Sequence, residues 1–234
     1  MKKIIFAIAA ILVFTTSCTE DIEDYNIDPI NPQEVEPDYL FSYAQYRLAA
    51  QIGDYDYNNN LGVLWANYAT QTTYIDEANY NDISRDLGGA IFNNIYNTSL
   101  YELQEAKTLI TTEDTIDDDL LIKNNKLAII SLMEIYSFQY LVDNFGDVPY
   151  SESLDIDNLT PVYDDDAEIY YALIDELDAA INMITTSEES FGASDLFYGG
   201  DMIKWKKFAH SLQLKIGTRI SDYDTSTASS LINE

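Results

Sequence analysis

The chain has 234 residues, 47% of them hydrophobic, with 12 Lys and Arg against 41 Asp and Glu and a formal charge of −29. So large an excess of acid excludes nucleic acid as a partner, because binding a polyphosphate depends on neutralising it with Lys and Arg, and it argues against broad docking on an anionic bilayer. The apolar share at this length suffices for a sizeable core of one or two helical units, and the acidic surface keeps such an assembly soluble.

Lys2 and Lys3 precede an apolar stretch from Ile4 to Phe14, and Thr15-Thr16-Ser17 lead to the only cysteine, Cys18. A basic start, an apolar run too short to span a bilayer and small residues before a cut describe an export signal. With cysteine just after the cut, residues 1–17 read as a lipoprotein signal peptide, although Phe14 stands where Leu is usual. Cys18 then carries lipid (palmitate among its acyl groups), which removes its thiol from any disulfide. Residues 18–36, acidic from Glu20 to Asp24 and broken by Pro29 and Pro32, read as a tether.

The folded region is predicted over 37–234. Pro37 suits a first helical position, and Leu40, Ala44, Leu48 and Ile52 mark one helical face. From Asp54 to Asn60 oxygen-bearing side chains alternate as in a calcium loop, but Asn59 stands where glycine is needed and Trp65 where the bidentate glutamate belongs. No metal site is expected there. Leu61, Leu64, Trp65, Tyr68 and Ala69 share a helical face expected to set Trp65 and Tyr68 against the core. Thr70 to Leu87 is loop-like and holds Tyr74, Asn79, Tyr80, Asn81, Asp82 and Arg85. Flat aromatic faces beside hydrogen-bonding side chains suit a sugar ring or a peptide. Tyr74, Tyr80 and Arg85 are therefore candidate ligand contacts, with Trp65 a fourth. The competing reading is that the tyrosines, 19 in all, are amphipathic packing residues.

Phe92, Ile95, Ser99, Leu103, Ala106 and Ile110 predict the next helix, and an acidic loop then leads into the longest apolar run, Leu120 to Phe145. Its polar seam is narrow, Lys123, Ser131, Glu134, Ser137 and Gln139, so it reads as a central helix, antiparallel to the one before. Gly146 and Pro149 end it. Asp164 to Asp166 open another helix in which Asp165 and Glu168 have capping-box spacing, a better account of the triplet than a metal site. Tyr170, Leu173, Ile174, Leu177, Ile181 and Ile184 form its buried face. Trp205, Phe208, Ala209, Leu212, Ile216 and Ile220 mark the last strong helix; its Lys204, Lys206, Lys207, Lys215 and Arg219 are expected to pair with acidic neighbours such as those of the 164–178 helix. Two helical hairpins, 87–145 and 164–222, suggest an all-α, tetratricopeptide-like array.

The ordered set of a lipobox, Asn144-Phe145-Gly146-Asp147-Val148-Pro149-Tyr150, Pro161-Val162-Tyr163-Asp164 with Glu168-Ile169-Tyr170, Leu177-Asp178-Ala179-Ala180, and Asp195-Leu196-Phe197-Tyr198-Gly199-Gly200-Asp201 before Trp205-Lys206-Lys207-Phe208-Ala209-His210-Ser211-Leu212 resembles the SusD/RagB family of outer-membrane lipoproteins. The resemblance covers almost the whole chain but only about the N-terminal half of a family member, so the chain reads as a fragment or a truncated product. His210 stands where the family tends to have Asn.

The resemblance implies a helical scaffold that caps a TonB-dependent, SusC-like transporter barrel and presents a nutrient to it, a glycan or oligosaccharide first and a peptide second. It implies an outer-membrane location, with no cofactor besides the lipid on Cys18. The acidic residues after Cys18 resemble the signal that displays lipoproteins of the Bacteroidota on the cell surface. Two other readings stay open: a surface glycan-processing enzyme working with two carboxylates, and a protein-binding helical scaffold or adhesin. No catalytic residue is predicted, since acidic pairs are too common to single out and the one histidine, His210, lies in a helical pattern beside Phe208 and Ala209. Neither a phosphate-binding glycine loop nor a His-Glu zinc pair is present.

Overall fold

The computed structural model describes residues 35–53, 62–81, 85–113 and 119–233. Helix dominates them: α1 (Pro37–Gly53), the single turn α2 (Gly62–Trp65), α3 (Leu87–Ile95), a π-helical turn (Tyr96–Leu100), α4 (Tyr101–Thr112), α5 (Leu120–Phe145), α6 (Asp166–Met183), α7 (Met202–Arg219) and α8 (Thr225–Asn233). Cys18 with its signal and most of the tether, the Asp54–Asn60 stretch, Leu61 and Asp82 lie outside the described residues.

The central helix has the bounds its apolar run predicts, and Ala128, Ile129, Ile130, Leu132, Met133, Ile135 and Leu141 on it are fully buried. Each buried Ile, Leu or Met among them stabilises the fold by roughly 1.5–3 kcal/mol. Ser137 and Gln139 of the predicted polar seam are buried too, Ser137 donating its hydroxyl to the Met133 carbonyl. Gly146 closes the helix at φ +74° and ψ −124°, a region open to glycine rather than the ordinary left-handed helical one, with its N–H on the Val142 carbonyl. Beyond it Val148 and Asp164 form a β-bridge, and the Asp164 carboxylate accepts from the N–H groups of Tyr150 and Ser151 and from the Ser151 hydroxyl. Partial burial raises the Asp164 carboxyl, but these hydrogen bonds outweigh it and hold the group below its ordinary value.

Asp165 caps α6 as its spacing predicts, accepting from the N–H groups of Ala167 and Glu168. At the far end of α6, Asn125 of α5 donates to the carbonyls of Thr185 and Glu189 and accepts from the Thr185 N–H; at the near end the Tyr170 hydroxyl donates to Asp143. These two clamps fix α5 and α6 antiparallel. Asn125 is buried, and its place in the polar stretch Lys123-Asn124-Asn125-Lys126 gave no sign of it.

The array is all-α and tetratricopeptide-like, yet its hairpins pair one helix out of step with the predicted 87–145 and 164–222. The most extensive contacts join α1 to α4 and the π-turn, α5 to α6, and α7 to α8. Along 87–112 the π-turn lets the buried stripe advance five residues, from Ile95 to Leu100, and still face the core.

The Asp195–Asp201 segment is a structural hub. Asp195 is 3% exposed; its Oδ1 accepts from Gln45 Nε2 and the N–H groups of Phe197 and Tyr198, and its Oδ2 from the Gly200 N–H and the Trp205 indole at 2.7 Å. Gln45 returns the contact by accepting the Leu196 N–H at 2.8 Å. Gly200 has φ +79°, and a Cβ there would lie 2.8 Å from the Gly192 backbone nitrogen, so only glycine fits. Asp201 then caps α7.

The cations of α7 do not all pair as predicted. Arg219 bridges to Asp143 at the end of α5, Lys204 to the cap residue Asp201, and Lys215 lies 4.8 Å over the Tyr136 ring. His210 is exposed, with Nδ1 against the Gln213 amide oxygen.

Candidate functional site

The predicted helix through Tyr68 stops after one turn. Among α2 residues only Leu64 is buried; Trp65 is 40% exposed and Tyr68 89% exposed, so neither packs into the core as expected. Asn67 at φ +59° breaks the turn, and a helix this short cannot propagate without a partner surface to cover its apolar face. The correction turns Trp65 and Tyr68 outward, onto the surface where Tyr74 and Tyr80 also lie.

Residues 66–81 and Arg85 are gathered around one buried glutamate. The Glu77 side chain is fully buried; Oε2 accepts from Gln71 Nε2 at 2.7 Å and Oε1 pairs with Arg85 Nε at 2.8 Å. The Gln71 hydrogen bond, with the Arg85 charge behind it, holds the Glu77 carboxyl below its ordinary value against the opposing effect of burial. Gln71 also accepts the Ala78 N–H. The Glu77 carbonyl takes the Trp65 indole N–H at 3.1 Å and the Tyr80 N–H at 3.0 Å.

These contacts bring three of the four predicted residues together. The rings of Trp65 and Tyr80 lie 5.7 Å apart at an interplanar angle of 34°, with Arg85 tied to the glutamate that anchors both. Tyr80 is 68% exposed and Tyr74 73% exposed, and Tyr74 is on the same loop. Gln71 and Glu77 were missed, because an acid and an amide in a polar loop give no periodic signal of burial.

Backbone strain is concentrated here. Among the described residues five non-glycines have positive φ, and four of them, Asn67, Tyr74, Tyr80 and Asp86, fall within this loop. A tyrosine in the left-handed region costs on the order of 1–2 kcal/mol relative to a relaxed backbone, so its retention fixes the ring's direction at the expense of stability. The result is a tilted aromatic platform, edged by the exposed amides of Asn79 and Asn81. Such a surface can stack the apolar face of a ring and hydrogen-bond its substituents.

Elsewhere the exposed carboxylates of Asp147, Asp165 and Asp166 lie close together. Asp165 is committed to its helix cap, and Asp147 accepts the Asp166 N–H. Capping accounts for the group.

A family model described as starch-binding, associating with the outer membrane, matches residues 29–234. The chain belongs to this SusD-like family. Solved structures agree in fold. A chitin-binding protein is 25% identical with a TM-score of 0.63, covering 84% of this chain and 42% of its own. A SusD-like protein of the Bacteroidetes is 24% identical with a TM-score of 0.66, covering 85% of this chain and 36% of its own. A SusD/RagB family protein from Bacteroides thetaiotaomicron is 21% identical with a TM-score of 0.64, covering 85% and 42%. The chain thus spans about two fifths of the length of these relatives. No curated protein matches it. Among the described residues no helix is long and apolar enough to cross a membrane.

Proposed function

We propose that this chain is a non-enzymatic glycan-binding protein of the outer-membrane surface, anchored by lipid on Cys18 after removal of residues 1–17. It hands its ligand to a TonB-dependent, SusC-like transporter. The observation that carries the reading is the platform of Trp65 and Tyr80, exposed but locked by the buried Glu77 and by left-handed backbone, in a member of a family described as starch-binding. Trp65 and Tyr80 stack the sugar, and Tyr74 and Arg85 border them. Chitin binding by a relative of 25% identity makes chito-oligosaccharides a first ligand to try beside malto-oligosaccharides.

Glu77, the carboxylate at the centre of the loop, is held by Gln71 and Arg85 rather than poised as an acid or base, which supports binding over hydrolysis. Titration with both oligosaccharide series tests the reading. Wild type should bind one series without releasing shorter products, and Trp65→Ala should weaken binding about tenfold, as the loss of one stacking ring predicts. Equal affinity in the Trp65→Ala protein would remove the platform from the site, and turnover would restore the enzyme reading.

A further inference from the structure

A second concave site lies far along the chain from the aromatic loop. A cleft of about 570 Å³ opens between α4, α5, α6 and the segment that follows α5. Phe138 and Tyr150 meet edge to face at its base, with ring centroids 4.8 Å apart, and Leu154 lines it at φ +64°.

Apart from the Lys107 ammonium and the Gln104 amide, the polar side chains of this cleft present acceptors. Glu134, whose side chain is 13% exposed, pairs with Lys107, and Glu176 accepts the Tyr150 hydroxyl at 2.6 Å. Two carboxylates therefore face one ammonium. Every hydroxyl lining the cleft directs its hydrogen to an internal acceptor: Thr108 to the Gln104 carbonyl, Thr111 to that of Lys107, Thr112 to that of Thr108, Ser151 to Asp164, Ser153 to the Tyr150 carbonyl, and Tyr150 to Glu176. What these oxygens present to the cleft is lone pairs. Burial raises the Glu134 carboxyl, and Glu176 raises it further while Lys107 lowers it, so the two acids repel each other across the cleft.

A ligand that fits must bring donors and positive charge, together with an apolar face for Phe138 and Leu154. We infer that this cleft is a binding site for an organic primary ammonium ion carried on a ring or an alkyl chain, with Glu176, Glu134 and the Tyr150 oxygen as its acceptors. An amino sugar and a lysine side chain both offer that chemistry. The site is separate from the aromatic platform and stands or falls independently of it.

Titration of the full chain at low salt with glucosamine, Nα-acetyl-lysine methyl ester and the neutral N-acetylglucosamine tests the inference, read by calorimetry and by the methyl resonances of Thr108, Thr111 and Thr112. Binding of glucosamine with movement of these methyls identifies an amino-sugar site, and preference for the lysine ester identifies a peptide side-chain site. In either case N-acetylglucosamine should not bind there. Glu176→Gln, an exposed position that leaves the fold undisturbed, should weaken the ammonium about tenfold by removing a charge-assisted acceptor. Asp222→Asn, an exposed acid away from the cleft, should change nothing. Equal movement of the Thr108, Thr111 and Thr112 methyls by N-acetylglucosamine, or an equal effect of Asp222→Asn and Glu176→Gln, would overturn the inference, the latter by showing attraction to bulk negative charge alone.

Discussion

The 195–205 hub and the loop around Glu77 are built with the same parts and put them to opposite ends. Each has a buried carboxylate, Asp195 or Glu77, reached by a glutamine amide, and in each a tryptophan indole donates to the same acidic residue. In the hub the tryptophan is fully buried, whereas in the loop it is 40% exposed. Positive φ falls to Gly199 and Gly200 in the hub but to Tyr74 and Tyr80 in the loop. Where the backbone bend serves packing, glycine takes it without strain; where a tyrosine takes it, the strain is retained with the ring aimed at solvent. The comparison separates a carboxylate that builds a fold from one that presents a surface.

The largest effect should come from removing the hub's acid. Asp195→Ala leaves Gln45 Nε2, the Trp205 indole and the Gly200 N–H without their acceptor in a buried setting. A destabilisation of at least about 3 kcal/mol follows from several unsatisfied donors at once. Urea unfolding should show a lower midpoint at unchanged slope. A smaller loss, about 2 kcal/mol, is expected for Gly200→Ala, because the new Cβ meets the Gly192 backbone and φ stays at +79°. A midpoint as high as wild type in either variant would mean that the segment is not the hub described.

Much of this fold was legible from the chain. The central helix kept its bounds because a 26-residue apolar run ending in Gly146 has one plausible reading, and Asp165 announced its cap by local spacing alone. Failures came wherever the deciding partner was distant in sequence. Nothing local marks Asp195 as buried, because its partner Gln45 lies 150 residues away. The hairpins slipped by one helix because periodicity gives a helix's apolar face but not which neighbour covers it. Trp65 and Tyr68 were set against the core for the same reason: apolar spacing continued, and no surface was there to receive it. The candidate tyrosines and Arg85 were visible as residue types in a polar loop, whereas Glu77, which gathers them, was not.

Swapping the two solutions sharpens the comparison at lower energy. Tyr80→Gly relaxes the backbone at φ +62° but forfeits the ring contact with Trp65, and these changes of about 1 kcal/mol each largely cancel. Stability should therefore stay within about 1 kcal/mol of wild type while glycan affinity falls. Retained affinity would show that the Tyr80 ring is not part of the platform.

The gentlest probe is pH. The Glu77 carboxyl is held below its ordinary value, so its ionised contacts stabilise the loop fully above the unfolded value of about 4.3, and that contribution is lost as pH falls through the lower folded value. Glycan affinity should then be flat from neutrality to about pH 5 and decline only below it, as protonated Glu77 releases Arg85 and Gln71. The overall helical signal should hold over the first part of that decline, because the hub's packing does not depend on this group. Quenching of tryptophan emission reports the two regions separately, since Trp65 is accessible to a soluble quencher and Trp205 is not. Loss of affinity at a pH where Trp65 quenching is unchanged would sever the glutamate from the platform, whereas a joint change would place the loop's order under its control.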